Sequence, residues 1–257
     1  MKIIDAHLHI FDQGKTERNL TKLYKKLGIE SGIVMGNQPL TLSAYHFSEG
    51  FHFCIGIGDF ERSLDPGEET LAAAEAQLKR PECAGIKIYT GYAPVYASDD
   101  CLKPYYRLAG KYDKAVAFHT GMTAGSMGLL KYSHPLAVDE AASEFPDVRF
   151  VLCHFGNPFL AEAAAVMEKN ANVFADLSGL LDGYTELDPY FEKQAGYVQM
   201  LRTWMDYVED DTRFMFGTDY PAVDIENYIE FISRLVRPES REKIFFENAS
   251  RIYRLGL

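Results

Sequence analysis

Eight short apolar runs recur along the chain, and no other feature restricts its fold as much. They are Ile3–Ile10, Gly32–Gly36, Phe51–Ile57, Gly85–Tyr89, Ala115–His119, Arg149–His154, Asn172–Leu177 and Arg213–Asp219. Most are near-continuously apolar, as in Phe150-Val151-Leu152-Cys153, rather than alternating. Strands buried on both faces read this way, and parallel strands flanked by helices are buried so. Each intervening segment exceeds the dozen or so residues that a helical crossover needs. Helix signals fall in these segments. Asp65-Pro66-Gly67-Glu68 offers a cap, a proline at the first helical position and an acid in the first turn. Leu71–Leu78 follows, Lys79 and Arg80 complement the dipole, and Pro81 stops the helix. Further helices are expected at Ala137–Phe145, Leu160–Glu168 and Arg241–Tyr253. The pattern predicts a (β/α)8 barrel, one α/β domain spanning residues 1–257, close to the usual size of about 250 residues for that architecture. An open doubly wound sheet would carry a Gly-rich phosphate loop after its first strand, and none is present. The longest connection, Ser178 to about Thr212, is expected to add structure over the barrel mouth.

Charge narrows the partners. With 26 basic and 37 acidic residues the net charge is −11, which opposes binding to nucleic acid and to anionic membranes. No run approaches the roughly 18 apolar residues of a membrane helix, and Asp5 and His7 interrupt the start too early for a signal sequence. The four cysteines are scattered without a CxxC pair, so neither a disulfide framework nor a thiolate metal site is expected. A reduced, cytoplasmic protein with a small-molecule substrate follows. The aromatic content of 13% is compatible with a homo-oligomer.

In a barrel, catalytic side chains stand at the C-terminal ends of the strands. Strand one carries His7-Leu8-His9, and alternation turns both imidazoles inward and Leu8 outward. Strand four carries Lys87, strand five ends at His119, strand six at His154 and strand eight at Asp219. Four of the seven histidines thus fall near strand ends, beside one carboxylate. Neutral imidazoles with a carboxylate suit a divalent metal, Zn²⁺ first, with Mn²⁺, Co²⁺ and Fe²⁺ also accommodated. His46 and His52 lack such placement and read as structural. His134, before Pro135, reads as a capping or solvated residue. Alternation turns Cys153 away from His154, into the core.

These segments resemble the amidohydrolase superfamily, and more narrowly its amidohydrolase-related branch, also called amidohydrolase 2. The resemblance is carried by Ile3-Ile4-Asp5-Ala6-His7-Leu8-His9, Gly85-Ile86-Lys87-Ile88-Tyr89, Phe118-His119-Thr120-Gly121, His134-Pro135, and Phe145-Pro146 through His154-Phe155-Gly156. Phe216-Gly217-Thr218-Asp219-Tyr220-Pro221 and Glu247-Asn248-Ala249-Ser250-Arg251-Ile252-Tyr253 complete it. The resemblance implies a distorted barrel with one or two divalent metals. It implies His7, His9, His119 and Asp219 as ligands of a single metal, with His154 contacting substrate or assisting proton transfer. In two-metal members His154 binds the second ion and a carboxylated strand-four lysine, here Lys87, bridges the pair; one ion is favoured here. The chain lies at the short end of the family, without the large insertions of many decarboxylase members.

The expected activity is hydrolysis of a small lactone, ester or amide, with a carboxylated substrate favoured. Asp219 is expected to take a proton from metal-activated water and to return it to the leaving group. His154 is expected to stabilise the oxyanion or orient the carbonyl. Lys87 and Arg62 are candidates to pair a substrate carboxylate, and Tyr89, Asn157 and Tyr220 to shape the pocket. The alternative is non-oxidative decarboxylation, with Asp219 protonating the carbon that loses CO₂. A TatD-type deoxyribonuclease is disfavoured by Lys87, where that group has a glutamate, and by the acidic net charge. A non-catalytic metal-binding protein is disfavoured by a full ligand set at an open mouth.

Overall fold

The two-sided burial of the strands decides the architecture. The structure is a computed structural model that describes residues 1–11, 15–36, 46–57, 67–126 and 128–257. Eight strands form one sheet in chain order: β1 (Ile3–Leu8), β2 (Ile29–Met35), β3 (Phe51–Ile57), β4 (Cys83–Ile88), β5 (Ala115–Phe118), β6 (Arg149–Leu152), β7 (Val173–Asp176) and β8 (Phe214–Met215). All neighbouring pairs are parallel. The chain beyond β8 curls back onto β1, where Ala6 N donates to Phe216 O at 2.9 Å and His9 N to Tyr220 O at 2.8 Å, so the barrel is nearly closed.

Side chains from the strands alternate between two apolar layers. Ile4, Ile33, Cys54, Ala84, Ala117, Val151, Phe174 and Met215 fill the barrel interior. Leu8, Val34, Ile55, Ile86, Phe118, Leu152, Ala175 and Phe214 pack outward with the helices. Each fully buried large apolar side chain contributes roughly 1.5–3 kcal/mol. Alternation breaks in β1, where the register shifts between Asp5 and Leu8. Ala6 joins Ile4 inside, Asp5 reaches Tyr24 on the outer side, and His7 and His9 remain free to face the mouth.

The helices are α1 (Lys15–Leu27), α2 (Glu68–Leu78), α3 (Lys103–Lys111), α4 (Leu130–Ser133), α5 (Ala137–Glu144), α6 (Leu160–Lys169), α7 (Leu187–Lys193), α8 (Ala195–Val208), α9 (Ile225–Leu235) and α10 (Asn248–Ile252). In α9 the Asp224 carboxylate caps the start by accepting from Asn227 N at 2.9 Å. Its buried stripe, Ile225, Tyr228, Phe231, Ile232 and Leu235, has the spacing of one helical face.

Three expectations need correction. Gly67 starts α2 without a side-chain cap, and the expected cap Asp65 and Pro66 lie outside the described residues. The segment expected as a regular helix from Arg241 to Tyr253 contains a π-turn, Lys243–Glu247, before α10. The wider turn coincides with a carbonyl used elsewhere: Ile244 O accepts from Phe216 N at 2.8 Å. The long connection after β7 sends α8 into the outer ring against α6 and α9, and not over the mouth. Its first residues do meet the site, as described next.

Candidate metal centre

His7 and Lys87 lie within β1 and β4, and the other expected ligands sit just past the strand ends. His9 follows β1, His119 follows β5, His154 lies two residues beyond β6, and Asp219 lies four beyond β8. Two of them adopt left-handed backbone conformations, His154 at φ 61° and Asp219 at φ 66°. Such residues persist only where their surroundings hold them. Asp219 N donates to His7 O at 2.7 Å. The preceding Thr218 gives its amide and its hydroxyl to the two Asp5 oxygens, at 2.8 and 2.7 Å. Asp5 thereby ties the end of β8 to β1, and its burial raises its carboxyl to about 6 against the donors Thr218 and Tyr24. His154 N donates to Asp176 Oδ1 at 2.9 Å.

The sharp turn at His154 overturns the placement of Cys153. Both residues face the interior, because the left-handed His154 and Phe155 break the alternation. Cys153 is a core residue, as expected, but lies under the site, where Lys87 Nζ approaches its Sγ to 2.8 Å. Burial pushes the Cys153 thiol well up, so it stays neutral and is a poor ligand.

Each imidazole has one nitrogen committed to an acceptor. His7 Nδ1 meets Asp176 Oδ2 at 2.9 Å. His9 Nδ1 meets Met35 O at 3.0 Å, and His119 Nε2 meets Met122 O at 3.1 Å. His154 Nδ1 meets Ser178 O at 3.2 Å and Ser178 Oγ at 2.9 Å. A carbonyl or an ionised carboxylate only accepts, so each of these nitrogens carries the ring proton. Burial holds His7 down to about 3, with Lys87 adding to the effect. Burial, then His154 and Lys87, hold His119 well below its ordinary value, and burial lowers His154.

In neutral rings the remaining nitrogens are lone pairs, and they face one another. His7 Nε2 lies 3.4 Å and His9 Nε2 3.1 Å from Asp219 Oδ1. His154 Nε2 lies 3.2 Å from His119 Nδ1. Ligand atoms of His7, His154 and Asp219 all lie within 4.8 Å of one another. His7 Nε2 is buried without a hydrogen-bond partner. Four imidazole lone pairs and a carboxylate oxygen crowd together with no proton to share. A divalent cation resolves this arrangement, and the nitrogen and oxygen donors fit Zn²⁺. The tautomer of His154 also bears on its expected role, because a bare Nε2 offers the site a lone pair.

Other expected residues are placed differently. Lys87 is fully buried beneath the histidines, with its ammonium against Cys153 and 5.3 Å from the Tyr89 ring centroid. Tyr89 hydroxyl reaches Met35 O at 3.5 Å. Asn157 carries a buried Oδ1 without a partner, and Tyr220 accepts from His9 N through its carbonyl. Arg62 lies outside the described residues. His46 is exposed, and His134 packs its ring 4.5 Å from Phe159.

Sequence patterning does not single out Asp176 and Ser178. The signal was nonetheless present: Asp176 stands two residues after Phe174, which faces the interior, in an otherwise apolar strand. Gly179 comes next, at φ +61°, and a Cβ there would sit 3.0 Å from His154 Nδ1 and 3.2 Å from Asp219 Oδ2. Only glycine lets this loop pass so close to the site.

Residues 62–255 match the family model described as amidohydrolase. Among solved structures, the chain is similar to a probable 2-pyrone-4,6-dicarboxylic acid hydrolase from Acinetobacter baumannii with citric acid bound. The identity is 14%, the TM-score 0.67, and the match covers 98% of this chain and 99% of that one. An amidohydrolase from Burkholderia multivorans with bound zinc matches at 16% identity and a TM-score of 0.63, over 99% of this chain and 100% of that one. The 2,6-dihydroxybenzoate decarboxylase from Rhizobium matches at 16% identity and a TM-score of 0.65, over 100% and 99%. No curated protein sequence matches the chain.

Proposed function

The chain belongs to the amidohydrolase family, and we propose that it is a metal-dependent hydrolase that opens a lactone, ester or amide bond in a small carboxylated molecule. The observation that carries this reading is the convergence of four imidazole lone pairs and Asp219 Oδ1 without a proton among them. His7, His9, His119, His154 and Asp219 are the residues that would hold the ion, and one ion is favoured because the Lys87 amine, which would have to be carboxylated to bridge two, packs against Cys153. A divalent cation bound there supplies Lewis acidity, which polarises a carbonyl and acidifies water. Asp219 accepts the proton of the attacking water and returns it to the leaving group. The neutral histidines keep their lone pairs available at physiological pH. The zinc-bound Burkholderia amidohydrolase and the pyrone dicarboxylic acid hydrolase support the metal and the substrate class. The four cysteines are free thiols, which suits a reduced compartment, and we place the enzyme in the cytoplasm.

A second reading, decarboxylation, is supported by the likeness to 2,6-dihydroxybenzoate decarboxylase along the whole chain. In it Asp219 takes a proton from water and passes it to the carbon that loses CO₂. Two measurements separate the readings. Purified protein is expected to carry about one equivalent of divalent metal, since such a site holds one ion among its ligands. A panel of lactones, esters and amides is then compared with CO₂ release from hydroxybenzoates. Protein that takes up no added divalent metal and turns over neither set sinks both readings; CO₂ release with untouched lactones selects the second.

A further inference from the structure

The geometry points to Asp176 as the positioning residue that sets the tautomers of His7 and His154, and so turns both Nε2 lone pairs onto one point. This rests on the metal reading above only for its consequence, not for its geometry. Asp176 is fully buried at the end of β7, between β6 and β8, with β1 next beyond β8. Its two oxygens have different tasks. Oδ2 accepts from His7 Nδ1 at 2.9 Å. Oδ1 accepts from His154 N at 2.9 Å, from Ser178 N at 3.2 Å and from Ser178 Oγ at 2.5 Å.

The hydroxyl of Ser178 links the two histidines. Its single proton is taken by Asp176, so its oxygen has only lone pairs left. That oxygen lies 2.9 Å from His154 Nδ1 and 3.2 Å from His7 Nδ1. Both Nδ1 atoms must therefore carry hydrogen, which in a neutral ring leaves Nε2 bare. One carboxylate thus fixes two rings from two different strand ends, and holds the left-handed peptide of His154 as well. A plain structural anchor for that turn would need Oδ1 alone. Oδ2 meets no backbone group and is spent on the imidazole.

Asparagine is the informative replacement because it keeps the shape. In Asp176→Asn one amide N–H must point either at the His7 Nδ1 proton or at the donors of His154 and Ser178. Outer partners of this kind commonly change metal affinity by about 10–100-fold.

The test has two arms. In metal-free wild-type protein labelled with ¹⁵N-histidine, ring nitrogen shifts are expected to show His7 and His154 as Nδ1–H tautomers. His7 as the Nε2–H form overturns the assignment, and this arm needs no variant to fold. In the second arm, Zn²⁺ affinity of wild type and Asp176→Asn is measured by competition with a chromophoric chelator, with far-UV circular dichroism as the fold control. A loss of about 10–100-fold in the folded variant is expected. Equal affinity in a folded variant overturns the proposal. Wild-type protein that binds no Zn²⁺ yet shows both Nδ1–H tautomers removes the metal reading and leaves the role of Asp176 intact.

Discussion

Asp219 combines a strained backbone with a carboxylate that several rings lean on. Its amide is anchored on His7 O, and Thr218 before it is anchored on Asp5. The side chain is thus held by contacts that do not involve its own carboxylate. Asp219→Asn should leave these anchors intact and the fold unchanged. It should remove one residue that would hold the ion and the base that takes and returns the proton, and loss of the base alone costs about 10²–10⁴-fold in rate. The expected outcome is a drop of that size in kcat/KM on the best substrate of the panel, at wild-type circular dichroism. A variant that keeps activity within about threefold leaves proton transfer to another group, because general acid–base catalysis is worth far more than that. The same residue shows what the chain's pattern makes legible. His7, His9, His119, His154 and Asp219 are readable because barrel chemistry collects at strand ends. Asp176 and Ser178 are harder to read because they stand 169 and 171 residues from His7, which barrel closure brings to them.

At the scale of elements, strand pairing explains why Gly85 stands in β4. A Cβ there would lie 2.2 Å from Ala115 O of β5, and a backbone carbonyl in a paired strand has little room to yield. Gly85→Ala is expected to cost about 3 kcal/mol by overpacking, measured by urea denaturation; a loss within about 0.5 kcal/mol, the range of a neutral surface change, contradicts it. The helices are joined more loosely. Glu75 of α2 accepts from Lys111 at the end of α3 and from Tyr112, and these bonds, Lys111 first, lower its carboxyl from 4.5 to about 2. A depressed carboxyl stabilises the fold above its unfolded value and loses that contribution as pH falls through about 4.5 toward 2. Glu75→Gln should therefore flatten the stability profile in that acid window and change little at pH 7 beyond the pair's own loss. Stability profiles of the two proteins that run parallel from pH 5 to 2 would count against this account. The strands themselves were readable to within a few residues, because two-sided burial leaves long apolar runs. The π-turn at Lys243–Glu247 was not, since it answers to Phe216 across the barrel and not to any local preference.

The whole molecule separates function from support along the barrel axis. The site occupies the C-terminal ends of the strands. The opposite end is closed by the last turns of the chain, where Ala249, Ile252 and Tyr253 join the side chains of the barrel interior. Arg149, the first residue of β6, fixes that plug by donating Nε to Ile252 O at 2.7 Å. Ile252 is fully buried, so Ile252→Ala should open a cavity and cost about 2–5 kcal/mol. In a chain of this size each 1 kcal/mol corresponds to a fall of about 2–4 °C in Tm. Tyr253 behaves differently, because its buried hydroxyl has no hydrogen-bond partner. Tyr253→Phe removes that unmatched group without changing the packed ring, and is expected to be neutral or to stabilise by about 1–3 kcal/mol, the usual penalty for an unsatisfied buried donor. Both variants act at the far end of the barrel from the histidines, so metal content and kcat/KM should match wild type in each. Calorimetry read beside metal content tests the separation. If Ile252→Ala loses metal at a temperature where it is fully folded, the plug and the site are coupled through the barrel interior, and the division of the molecule into a reactive and a supporting end does not hold.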